Sequence, residues 1–183
     1  MGIITRKSFT LIELVVAIGV LGLILPSLFS IFFTMVRQQI VLMSYQIVKQ
    51  QGDSAQRNIK NILQNRTLYI TDQTYTATDI CPLPLTPTPT HSPDIYITDK
   101  DGRPIHLYQN TVSSVVTISS SSGLLKTYHL TSKDVTISNV EFTCYRVNEF
   151  SPVIVSTKFT VQKSTTFKNV FLPYSFNTRI MNY

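Results

Sequence analysis

Few residues in this chain have the type and spacing to do chemistry, and the first of them is a single acid. Glu13 stands at the start of an apolar run, Leu14 to Phe33, and no further charge follows until Arg37. A carboxylate at the edge of such a run is costly to bury, about 2.5–3.5 kcal/mol at a bilayer centre and less toward its rim. It therefore calls for a partner, and the apolar run itself supplies none. Cys81 and Cys144 form the second candidate pair, read either as a disulfide of an exported domain or as two buried free thiols. A bond between them would close a loop of about 62 residues and restrict the unfolded chain by about 4 kcal/mol in the entropy model.

Catalytic sets are not apparent. His91, His106 and His129 are scattered, the first in a proline-rich stretch and the others within expected strands. Neither a G-x-S-x-G elbow nor a phosphate-cradling glycine loop occurs, and six glycines leave little material for one. With no C-x-x-C and no Cys/His cluster, zinc is not expected. Asp99 and Asp101 look like a fragment of a calcium loop, but the downstream bidentate acid is missing and a turn is the better reading. These residues imply neither a metal nor a cofactor, and they do not point to an enzyme.

Elements must position Glu13 and the cysteines. Twenty helical residues at about 1.5 Å each span about 30 Å, the thickness of a bilayer's hydrocarbon core. Residues 9–36 are expected to form one membrane-length helix, weakened by Gly19, Gly22 and Pro26. Pro26 has no N–H to give the carbonyl of Gly22. Residues 37–66 continue it as an amphipathic helix, with Ile40, Met43, Ile47, Ala55, Ile59 and Ile62 near helical spacing. Gly52-Asp53 is its weak point, where a bend or interruption is expected.

Composition changes after Arg66. Thr, Ser, Val, Ile and Tyr dominate, and 67–183 reads as a β-rich head. Strands are expected at Leu68–Ile70, Asp94–Thr98, Ile105–Tyr108, Val112–Ser119, Leu124–Leu130, Val135–Val147 and Val153–Val161. Asp99-Lys100-Asp101-Gly102 and Ser119 to Gly123 read as turns. The Pro/Thr-rich stretch 82–93 reads as an extended surface loop. Phe167 to Tyr183 reads as an apolar tail docked on the domain. The fold class is then α+β, a long amino-terminal helix whose amphipathic half packs on an antiparallel sheet.

The formal charge is +6, and its location is more telling than its size. Arg37, Lys49, Arg57, Lys60 and Arg66 face only Asp53, whereas Thr67 onward carries nine basic and eight acidic residues. The excess near the apolar segment suits anionic lipid headgroups or acidic neighbours. A nucleic-acid partner is left open, since no basic cluster in the head calls for one.

The run Ser8-Phe9-Thr10-Leu11-Ile12-Glu13-Leu14-Val15-Val16-Ala17-Ile18 resembles the cleavage and methylation motif of type IV pilins and type II secretion pseudopilins. The resemblance covers the first fifth of the chain. It implies a leader, 1–8, cut by a prepilin peptidase between Ser8 and Phe9, with N-methylation of Phe9. Arg6 and Lys7 would hold the leader in the cytoplasm. Glu13 would pair with a neighbouring subunit's amino terminus. Where that family usually has Gly before the cut, Ser8 stands here, so the peptidase pocket must take a slightly larger residue. The weak stretch at Gly19, Gly22 and Pro26 would extend as subunits pass from bilayer to filament.

The ending Asn177 to Tyr183 is similar to the Arg-rich ends of larger minor pilins of the J or W type. The implied partners are the peptidase, other pilin or pseudopilin subunits, an inner-membrane assembly platform and membrane lipid. The implied place is the inner membrane with the head outside, then a periplasmic or surface filament. A single-pass anchored ectodomain that binds a ligand or cell without polymerising is the alternative.

Overall fold

The computed structural model describes residues 10–75, 81, 92–112, 115–122, 126–148 and 150–180. The chain forms two compact units, Met1–Leu42 and Met43–Tyr183. Ser8, Phe9, His91 and residues 82–91 of the proline-rich stretch lie outside the described residues.

Helix α1, Leu11–Asn61, runs through Pro26 without a break. In the first unit every residue from Leu11 to Met35 is exposed. Its side chains are almost all Leu, Ile, Val, Phe, Ala or Gly, and the hydroxyls of Ser27 and Thr34 are turned back on the helix. Ser27 donates to the carbonyl of Ile24 at 2.7 Å and Thr34 to that of Ser30 at 2.8 Å. Such back-bonding hides a hydroxyl where no water is available. By length and composition, α1 is able to cross a membrane.

In the second unit α1 buries Ser44, Val48, Gly52, Ala55 and Ile59, spaced four, four, three and four apart. This corrects the expected stripe in its first half. Met43 is 63% exposed and Ile47 only partly covered, while Ala55, Ile59 and Ile62 are buried as expected. The buried face is chosen by small size as much as by apolarity. At Gly52 an added Cβ would overlap the ring of Tyr174. Gly52-Asp53 does not interrupt the helix; Gly52 is a point where the helix meets the sheet closely. The Tyr174 hydroxyl seals the contact, donating to the Lys49 carbonyl and lying within hydrogen-bond reach of Asp53 Oδ1, each at 3.0 Å. Ile62–Arg66 then form one π-helical turn.

Strands β1 (Thr67–Thr71), β2 (Ile95–Asp99), β3 (Pro104–Val112), β4 (Val115–Ser122) and β5 (Lys126–His129) make one antiparallel sheet in chain order. A second antiparallel sheet holds β6 (Thr136–Tyr145), β7 (Ile154–Ser164) and β8 (Asn169–Arg179). Ile70, Ile97, Ile105, Leu107 and Ile118 fill the core from the first sheet, and Ile137, Phe142, Val155, Phe159 and Val161 from the second. Ser92 joins the two, pairing its backbone with Phe142 in both directions, at 3.1 and 2.8 Å. The fold is α+β, with the helix packed against antiparallel sheets.

The Asp99–Gly102 turn lies where expected, with Gly102 at φ +74° and its N–H donating to the Asp99 carbonyl at 2.8 Å. The serine run does not turn at Ser119. It continues β4 to Ser122, paired with β3 and β5, with Ser119 and Ser120 buried. Most of the carboxyl-terminal tail is a strand, β8, with Val170, Phe176 and Thr178 buried, and Ile180 just beyond it is buried too.

Candidate functional site

The mouth of α1 is built from four residues. Thr10 precedes the helix and Glu13 lies in its first turn. The Thr10 N–H and hydroxyl both reach Glu13 Oε2, at 3.4 and 3.3 Å, while the Glu13 N–H donates to Thr10 Oγ1 at 3.4 Å. Thr10-Leu11-Ile12-Glu13 is thus a capping box, in which hydroxyl and carboxylate each satisfy a backbone N–H left over at the helix start. The carboxylate also meets the positive end of the helix dipole. Glu13 therefore has a local partner just outside the apolar run, one that the T-x-x-E spacing announces and that a search for opposite charges passes over. All these contacts are long and exposed, so the carboxylate stays open to a stronger donor.

Gly19 and Gly22 have open space where a side chain would project. Among the described residues nothing packs on them, and Pro26 lacks the N–H that would continue the hydrogen-bond ladder one turn later. The three residues leave a locally weak helix with smooth faces.

The cysteines are brought together. Cys81 and Cys144 are bonded, with Cα atoms 5.2 Å apart across a sequence separation of 63, and this fastens the segment before the proline-rich stretch to β6.

No protein-family model, curated protein or solved structure matches the chain. Its function has to be argued from its own residues.

In the head, an aromatic row runs along the outer side of the first sheet. Tyr96 stacks on His106 at 4.2 Å and 8°, and His106 on Tyr108 at 4.5 Å and 17°, while Tyr75 meets Tyr96 edge-on at 5.7 Å. Burial pushes the His106 pKa below the ordinary 6.5, and the charge of Asp94 pulls the other way. Asp94 Oδ2 is 3.6 Å from Nε2, beyond hydrogen-bond length, which leaves that nitrogen without a hydrogen-bond partner. The Tyr75 hydroxyl is raised above its usual 10 by burial and by Tyr96.

His129 serves elsewhere: its Nδ1 meets the buried Ser119 hydroxyl at 2.9 Å across β4 and β5, as a directly opposed strand pair. Among the described residues no group of three or more His, Cys, Asp and Glu side chains converges as a metal site.

Proposed function

We propose that this chain is an assembly subunit, a minor pilin or pseudopilin, of a type IV pilus or type II secretion-like filament. The observation that carries the reading is a coincidence at one place. The run Ser8 to Ile18, which resembles the prepilin motif, ends in a helix whose residues Leu11 to Met35 are all exposed. That surface needs cover. Fully burying each Leu, Ile, Val or Phe is worth about 1.5–3 kcal/mol. Lipid supplies it before assembly and neighbouring helices after.

Between lipid and helices the apolar contacts nearly cancel, so a polar contact must fix the register. A free amine from the adjacent subunit is a stronger partner for Glu13 than the Thr10 cap. Charge-assisted bonds are about twice as strong as neutral ones, and losing one member of a buried pair costs about 3–5 kcal/mol. The smooth stretch of Gly19 and Gly22, with Pro26, lets helices approach and lets the segment lengthen on transfer. Cutting after Ser8 by a prepilin peptidase creates the amine on Phe9, and an inner-membrane platform lifts the subunit.

The test is the amino-terminal residue of the native protein, read by mass spectrometry. A chain beginning at Phe9 and carrying one added methyl group is expected. A native chain still beginning at Met1 would refute the reading.

One observation favours a second reading, a single-pass anchored ectodomain. The Thr10–Glu13 cap satisfies the carboxylate within the chain, so an anchor of this sequence needs no second copy. On that reading the protein stays in the membrane fraction when surface filaments are sheared away.

A further inference from the structure

We infer that the β7–β8 hairpin is a second membrane contact, whose turn docks on an anionic lipid surface beside the anchoring helix. The place of the turn follows from how β8 packs on α1. Tyr174 meets Gly52 and donates to the Lys49 carbonyl, and further along both elements Lys60 lies over the Phe176 ring at 5.3 Å. Rising numbers on β8 thus match rising numbers on α1, so β8 begins toward Met43. From Tyr174 back to Asn169 the strand covers about 17 Å, and from Gly52 back to Met43 the helix covers about 14 Å. The turn between Ser164 and Asn169 therefore lies at the Met43 end of the head. Along α1, Met43 is about 9 Å from Arg37, the first charge after the apolar run. A bilayer that takes up that run lies at this end of the head.

Two further features select the lipid surface as the occupant. The first is charge. From Ser151 to Tyr183 the chain has no Asp or Glu, and its basic residues are Lys158, Lys163, Lys168 and Arg179. Lys158 is paired with Glu141 at 3.4 Å. Among the described residues no acid lies within ion-pair distance of Lys163 or Lys168, the two nearest the turn. Strand β6 starts at the same end, with Thr136 opposite Gln162, and the segment before it adds Lys133 and Asp134, which cancel. Lysines held at this level are drawn to anionic headgroups.

The second feature is the apolar surface between those charges. Phe167 is 46% and Phe171 68% exposed. The turn that presents Phe167 is already fixed. The Thr165 hydroxyl donates to the Lys168 carbonyl at 2.6 Å and accepts from the N–H groups of Phe167 and Lys168 at 3.4 and 3.0 Å. Docking then orders little that is not ordered beforehand. Aromatic rings flanked by lysines suit the boundary between headgroups and acyl chains, where the ring leaves water and the ammonium groups stay in it. An acidic protein surface would engage the lysines and leave the rings exposed. The inference requires only that α1 spans a bilayer, which both readings above share, and it does not depend on cleavage after Ser8.

The chain has no Trp, so Phe167→Trp installs a single reporter. The full-length variant is placed in nanodiscs of phosphatidylcholine, alone or mixed with phosphatidylglycerol, and quenching by a lipid with a nitroxide headgroup is read. Phe150→Trp is the control, in the β6–β7 turn at the opposite end of the same sheet and 97% exposed. Quenching should be stronger at position 167 than at 150, and stronger with phosphatidylglycerol than without it. Adding Lys163→Gln and Lys168→Gln to the Phe167→Trp variant should lower the docked-to-free ratio roughly 25-fold, about fivefold per lysine. The melting temperature should hold, because Lys168 closes the turn through its backbone. Salt at about 1 M, which shortens the screening length to about 3 Å, should release the turn with both lysines in place. Quenching at 167 no greater than at 150, equal quenching in the two lipids, or quenching that survives both the lysine substitutions and the salt would overturn the inference.

Discussion

Two residues show how local surroundings set chemistry in this chain. Glu13 satisfies a helix end through Thr10 and at the same time faces outward, so its cap and its charge are separable functions. Gln also completes a capping box, and this gives a clean way to keep the first while removing the second. His106 is a pH-sensitive group of the head. Burial between Tyr96 and Tyr108 lowers its pKa, so at a given pH below about 6.5 the unfolded chain binds more protons than the folded one. Its contribution is therefore complete above that value and is lost as pH falls through it toward the lower folded pKa. Chemical denaturation of the wild type from pH 7.5 to 5.5 (chosen to bracket that value) should show stability falling. His106→Phe, which keeps a ring in the stack, should flatten the slope. Asp94→Asn removes the group that raises the pKa, so an NMR titration should find His106 protonating at still lower pH.

At the scale of elements, α1 and the second sheet are fitted to one another by a missing side chain. In an exposed helix Gly→Ala gains about 1 kcal/mol. At Gly52 the added Cβ meets the Tyr174 ring, and overpacking costs about 1–3 kcal/mol. Gly52→Ala should thus lower stability in a denaturant melt, and a gain would show that the helix stands off the sheet.

The helix was legible from its apolar period, and so was the second half of its buried face, Ala55, Ile59 and Ile62, but not the first half. A search for large apolar residues picks Met43 and Ile47, whereas close packing selects Ser44, Val48 and Gly52. Strand β8 carried a readable signal, since Val170, Leu172, Tyr174, Phe176, Thr178 and Ile180 alternate with exposed residues. Pro173 and the exposed Phe171 masked it. Proline is tolerated because β8 is an edge of its sheet. The serine run in β4 misled in the opposite way: turn propensity gave way to pairing on both sides, with Ser119 held by His129. The capping box was written in the sequence as T-x-x-E and was hidden by attention to charge.

For the whole molecule, the parity of the cysteines allowed a disulfide, and folding brings Cys81 and Cys144 together. Replacing both with Ser should lower the head's stability by about 4 kcal/mol in the chain-entropy model, read as a shift of the denaturation midpoint. The aromatic row and the cavity of about 300 Å³ beside it, lined in part by Thr71, Tyr96 and Phe142, could not be read from the sequence. They arise because the β1–β2 pairing brings Thr71 beside Tyr96 across 25 residues and the β2–β3 hairpin sets Tyr96 opposite His106. The head is thereby a self-sufficient globule with its own core, whereas the first part of α1 has an apolar surface that needs a neighbour. On the assembly account that neighbour is another helix, and the Glu13 charge aligns it. The direct measurement is the share of Glu13→Gln protein in sheared surface filaments, expressed at native level and compared with the wild type. The account predicts a folded head that stays in the membrane fraction and is missing from the filaments; wild-type amounts of the variant in the filaments would contradict it.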